Sequence, residues 1–223
     1  MAKIRKFSAF ILAVVILTGF SQHSLAQSSY YEEDPHTFYG GLIAGGNFSQ
    51  VDGDNFAGYH KVGMNVGGIV YASLADHLAA SLEILYSQKG SRAHKTQLSN
   101  NKIYNILKYD INLNYAEVPV MLNYFDRRKS NFGAGFSYSQ LISFKENVTT
   151  DPPFSTAVNL DDYPFKKMDV NFIVGGNLHL YAGLFLNFRF QYSLFAIRKN
   201  IYPEFGRAEQ YNNMYTLRLM YLF

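Results

Sequence analysis

Residues 184–196 read LFLNFRFQYSLFA, and their alternation decides the fold. Leu184, Leu186, Phe188, Phe190, Tyr192 and Leu194 fall on one face of an extended chain, while Asn187, Arg189, Gln191 and Ser193 fall on the other with Phe185. A helix would mix the two sets, whereas a strand of period two separates them. The end of the chain repeats the pattern: Tyr215, Leu217, Leu219, Tyr221 and Phe223 point one way, Thr216, Arg218 and Met220 the other.

Working outward, the same reading finds six more strands, at about 38–49, 59–74, 78–89, 108–124, 131–144 and 168–180. Short turns at 75–77, 126–130 and 181–183 alternate with longer connections near 49–58, 90–107, 145–167 and 197–212. Alternating long and short connections put the short turns and both strand-bearing termini at one end, as an all-β, eight-stranded antiparallel up-and-down transmembrane β-barrel requires. A lipid core leaves only helices or closed barrels as spanning structures, because an unpaired backbone amide there costs several kcal/mol.

The amino terminus sets the compartment. Lys3, Arg5 and Lys6 precede an apolar run from Phe7 to Phe20, and Ser24 and Ala26 supply small residues before Gln27, which reads as a signal peptide over 1–26. Residues 27–37 follow as a short periplasmic segment and 38–223 as the barrel. Those three cations account for the formal net charge of +3, so the rest of the chain is near neutral and carries no nucleic-acid signature. With no cysteine there is no disulfide, thiolate metal site or lipoprotein anchor.

Parity alone does not say which face is inside, so a soluble exported lipocalin-like binding barrel is the competing architecture. It requires Phe188, Phe190 and Leu219 to face inward and Arg189 and Arg218 outward. Asn65, Glu83, Asp110, Asn112, Asn114, Asn171, Asn177 and Asn187 alternate with aromatic and aliphatic residues, and that content favours lipid outside and a polar lumen. One segment breaks the alternation: Tyr109, Ile111, Leu113 and Tyr115 share a parity that Val118, Val120, Leu122 and Tyr124 do not. A bulge near Ala116 and Glu117 is expected to return both sets to one face, leaving Glu117, Pro119, Met121 and Asn123 toward the lumen.

The segments FYGGLIAGGNFS (38–49), VGMNVGGIVY (62–71) and NYAEVPVMLNYF (114–125) resemble the PorT-like family of small outer-membrane barrels, the Y-x-E-V-P-x-x-L pattern being the more specific. The resemblance covers essentially all of the chain after the signal peptide and implies an eight-stranded barrel in a Gram-negative-type envelope. The family's namesake is tied to protein secretion across the outer membrane and to gliding.

Eight strands leave an interior that side chains fill, so buried charges inside must be paired. Glu83 and Glu117 lie on the third and fourth strands and Arg189 and Arg218 on the seventh and eighth, half a ring apart; a structural charge network is expected, completed by Asn187, Gln191 and Asn114. The terminal strand through Tyr215, Leu217, Leu219, Tyr221 and Phe223 resembles the signal read by the barrel-assembly machinery. Other expected partners are outer-membrane lipid and lipopolysaccharide, with a secretion-system or surface-protein partner at the external loops.

Lipopolysaccharide-modifying chemistry is the competing function, and it needs a serine activated by a histidine. There is no G-x-S-x-G, and of the later histidines His36, His77 and His94 fall in tails, turns or loops while only His60 and His179 are near strand ends. We expect no enzyme, metal or cofactor. Asp52-Gly53-Asp54 lacks the spacing of a calcium loop and reads as a turn, and the glycines at 40, 41, 45 and 46 indicate tight curvature.

Overall fold

The computed structural model describes residues 37–56, 58–153, 162–204 and 206–223; the expected signal peptide and periplasmic segment lie outside these except for Thr37. Eight long strands are β1 (Phe38–Asp54), β2 (Lys61–Ala75), β3 (Leu78–Arg92), β5 (Asn105–Phe125), β6 (Asn131–Asp151), β7 (Met168–Tyr181), β8 (Leu184–Ser193) and β9 (Gly206–Leu222), with a two-residue β4 (Gln97–Leu98) against the outer end of β5. Each long strand pairs antiparallel with its neighbours, β3 with β5 and β9 with β1, so the sheet closes on itself. Closure leaves every spanning strand paired on both sides, which is what a bilayer demands. The three short turns and Phe223 share one end of the cylinder.

Phe188 and Leu219 are 53% and 51% exposed on the outer surface, while Arg189 and Arg218 are 3% and 2% exposed inside. Phe190 lies on the outer face with Phe188, both rings against Tyr215. An apolar exterior over a charged interior is the arrangement of a membrane barrel and excludes the lipocalin-like one. On β5 the outward apolar run from Ala116 to Tyr124 spans about 30 Å along the strand, or about 23 Å of membrane at a typical tilt.

The bulge expected near Glu117 and Pro119 is absent. The register of β5 against β3 runs without a shift from Leu78↔Tyr124 to Arg92↔Asp110. Tyr109, Ile111, Leu113 and Tyr115 therefore point inward with Glu117, Pro119, Met121 and Asn123, all of them buried. The nearby irregularity belongs to β6, where the register against β5 slips between Asn114↔Ser143 and Tyr115↔Leu141. The physical reason is a change of solvent along one strand. Below Ala116 the outer face meets lipid and takes the apolar residues; above it the outer face meets water, and the apolar residues turn inward to form a protein core. As a result Asp110, Asn112 and Asn114 lie on the outer face, not in the lumen, and Asn114 bonds Ser143 Oγ at 2.9 Å.

Strands also run further out than expected. β1 passes through Asp52-Gly53-Asp54 as a register shift against β9, not a turn. Gly53 takes φ of +92°, and any Cβ there would collide with the Glu209 carbonyl. β6 continues to Asp151 and β9 begins at Gly206, so part of each expected loop is strand.

Candidate functional site

Inward positions come from alternate residues of all eight long strands, and they stack in layers. At the turn end Ile43, Ile69, Tyr71, Leu85, Phe185 and Met220 form an apolar plug. At the loop end Val51, Phe56, Ile106, Tyr109, Ile111 and Ile197 belong to a second. The wholly polar lumen expected from the sequence is thus confined to the middle, between two greasy seals.

The inner charge layer centres on Glu83. Its Oε1 lies 2.6 Å from Arg189 Nη2 and its Oε2 lies 2.9 Å from Arg218 Nη1. Arg218 also donates to Asn187 Oδ1 at 2.8 Å and Asn65 Oδ1 at 3.2 Å. Two guanidiniums on one carboxylate leave this layer at +1.

The outer layer compensates. Lys89 Nζ lies 3.2 Å from Glu117 Oε2 and 3.8 Å from Asp169 Oδ2, and it sits 5.0 Å over the Tyr115 ring. Gln191 and Ser137 donate to Glu117 Oε1 at 2.6 and 2.8 Å, and Asn212 donates to Asp169 Oδ2 at 2.9 Å. One ammonium between two carboxylates gives −1, so the two layers together are neutral. Burying an unpaired ion costs several kcal/mol even after relaxation, and neutrality across the stack is how that cost is held down.

The structure therefore brings Glu83, Arg189 and Arg218 together with Asn187, but pairs Glu117 with Lys89 instead of an arginine. Lys89 and Asp169 escaped the sequence reading. Their signal was parity: Lys89 follows Glu83, Leu85 and Ser87 on the inward face of β3, and Asp169 precedes Asn171 on that of β7.

Each central arginine has glycine for its neighbour. Gly45 pairs with Arg218 and Gly175 with Arg189 across adjacent strands. A Cβ on Gly45 would lie 2.5 Å from Arg218 Cα and 2.8 Å from its Cγ, and one on Gly175 would lie 3.0 Å from Arg189 Cα. Inward curvature of a narrow cylinder crowds these positions, and only a bare backbone leaves room for a guanidinium stem.

Above the membrane the chain builds a second core. Arg198, fully buried, lies 2.6 Å from Glu146 and 4.1 Å over the Phe165 ring, and Tyr109 donates to the same carboxylate at 2.9 Å. Of the long connections, the one near 90–107 carries Arg92, His94, Lys95 and Lys102 at the end of the barrel opposite the short turns, and residues 154–161 of the one near 145–167 lie outside the described residues. His60 stacks on His94 at 4.6 Å, and His179 packs on Phe185 at 4.9 Å. Among the described residues no three metal-ligating side chains cluster.

In β9 the side chains of Tyr215, Leu217, Leu219, Tyr221 and Phe223 line the exterior, and the Phe223 amide donates to Gly40 at 3.0 Å where the ring closes.

A closed antiparallel cylinder with a lipid-compatible belt and a filled, charge-neutral interior defines a transmembrane β-barrel protein. The chain belongs to the outer membrane protein beta-barrel domain family, which it matches over residues 20–198, and it is an outer-membrane β-barrel. No curated protein sequence matches it. Among solved structures it is similar to Ail, the attachment invasion locus protein of Yersinia pestis (11% identity, 83% of this chain and 98% of that one, TM-score 0.43). It is similar also to Neisserial surface protein A (9%, 86% and 100%, 0.44) and to the outer membrane protein AlkL (16%, 87% and 95%, 0.40).

Proposed function

We propose that this chain is a non-enzymatic outer-membrane barrel of the PorT-like type, a structural or interaction component that serves as an accessory to protein secretion across the outer membrane. It is exported by a signal peptide cleaved after Ala26 and handed to the barrel-assembly machinery through the strand that ends in Phe223. The observation that carries the reading is the filled lumen: among the described residues, paired charges lie buried between two apolar plugs. A rigid barrel with a packed interior offers its external crown, and external surfaces on rigid scaffolds are where binding resides.

The test uses photo-cross-linkers placed at exposed positions such as Lys102 and Lys199 in living cells. A secretion-machine component captured by the native chain, and lost when the 93–104 connection is replaced by a Gly-Ser linker, supports the reading. Fatty acid released from lipopolysaccharide by the purified barrel, or stable conductance steps in planar bilayers, overturns it.

A further inference from the structure

The rim just above the lipid belt is not electrically uniform. On the outer face of β5, Asp110 and Asn112 are flanked by cations from three other strands. Lys61 at the start of β2 lies 3.2 Å from Asp110 Oδ1 and bonds Asn112 Oδ1 as well. On β3, between these strands, the residue paired with Asn112 is Gly90, which carries no side chain. Arg92 Nε lies 3.5 Å from Asp110 Oδ1 with its side chain 54% exposed. Lys145 of β6 is paired with Asn112 and is exposed on the same face, and Lys108 is exposed two residues further up β5. Asn112 Nδ2 donates to Asp110 Oδ2 at 3.1 Å, so the single carboxylate is saturated and the cluster has cations to spare. Elsewhere on the ring, β1 and β9 carry Asp52 and Glu209 beyond their own lipid belt, the latter only 3.6 Å from Lys199.

Further down the same strands toward the lipid belt, Ile142, Tyr138 and Val120 are exposed. The stacked His60 and His94 rings tie together the connections that position Lys61 and Arg92.

We propose that Arg92 and Lys145, organised by Lys61, Asn112 and Asp110, form a binding site for a phosphate of the outer leaflet's phosphorylated glycolipid, the lipid A part of lipopolysaccharide. Phosphate oxygens accept charge-assisted hydrogen bonds from guanidinium and ammonium groups, and a surface cation gains most where anionic headgroups lie within a Debye length. The apolar strip beneath selects a lipid over a free anion, because acyl chains attached to that phosphate run down past Ile142, Tyr138 and Val120. The inference rests on the membrane-embedded, externally exposed barrel described above and adds its lipid partner.

The experiment reconstitutes the purified barrel in phosphatidylcholine nanodiscs and titrates it with diphosphoryl lipid A, with the same lipid after dephosphorylation, and with inorganic phosphate as competitor. Arg92→Gln and Lys145→Gln are each expected to weaken diphosphoryl lipid A binding about fivefold, and the double variant about thirtyfold, at near neutral pH and low salt. Lys199→Gln, on the acid-bearing side, is expected to leave it unchanged, and dephosphorylated lipid is expected to bind weakly and equally to all five proteins. Arg92 and Lys145 are exposed, so each variant should keep the heat-modifiable gel shift of the native barrel. Unchanged binding in the double variant, equal affinity for the dephosphorylated lipid, or displacement by millimolar inorganic phosphate overturns the proposal. A barrel that captures its secretion partner yet shows no preference for phosphorylated lipid fails this inference alone.

Discussion

Arg189 and Glu83 face each other across the full width of the barrel: β8 and β3 are four strands apart in either direction round the ring, yet Nη2 and Oε1 are 2.6 Å apart. The pair is a strut between opposite walls, and Arg218 braces it from a third strand.

Removing one member should be severe. Glu83→Ala strands two buried guanidiniums, and a loss of about 3–5 kcal/mol is expected; Arg189→Ala should cost less, because Arg218 keeps Glu83 at 2.9 Å. Heat-modifiable gel shift in detergent would show each variant unfolding at a lower temperature than the native barrel. Replacing Glu83 and Arg189 together with Met should restore little of the loss, because Arg218 is then left buried without its carboxylate.

Glu117→Ala should cost less than Glu83→Ala. Lys89 keeps Asp169 at 3.8 Å when Glu117 is removed, whereas Glu83 is the shared carboxylate of two arginines. Urea titration of the two variants side by side in lipid vesicles gives the ranking; the reverse order would refute the layered charge scheme.

The glycines beside the arginines should be intolerant while their outward neighbours are not. A Cβ at Gly45 collides with Arg218, but one at Gly46 finds its nearest atom at 3.5 Å. Gly45→Ala is therefore expected to destabilise by about 1–3 kcal/mol through overpacking. Gly46→Ala, on the lipid face, should fold with native yield in the same vesicle refolding assay.

Deleting Phe223 removes the aromatic end of β9 and its bond to Gly40. If the terminal strand is the segment read by the assembly machinery, the heat-modifiable fraction in cells should fall severalfold while refolding of the purified variant into vesicles stays near native. Equal loss in both settings would assign the residue to stability alone.

The inside-outside pattern of most strands could be read directly from the sequence. Arg189 and Phe188 had to lie on opposite faces of β8 whatever the fold, because the strand period is two. β5 resisted the same reading for a specific reason. Its apolar residues change face at Ala116, which looks like a bulge if one solvent is assumed along the whole strand. The strand in fact leaves lipid there and enters a water-exposed crown, and the rule for which face is apolar inverts.

The alternation of apolar and polar residues, a property of local sequence, determined that these strands present one face to lipid and the other to a polar interior. The tertiary structure decided which charges meet. Contacts between Glu83 and Arg189, or Lys89 and Asp169, depend on the stagger of strands around a closed ring and on the glycines that make room for the long side chains. That stagger is fixed only when β9 pairs with β1, since closing the ring is what sets the height of every inward residue relative to those across the lumen.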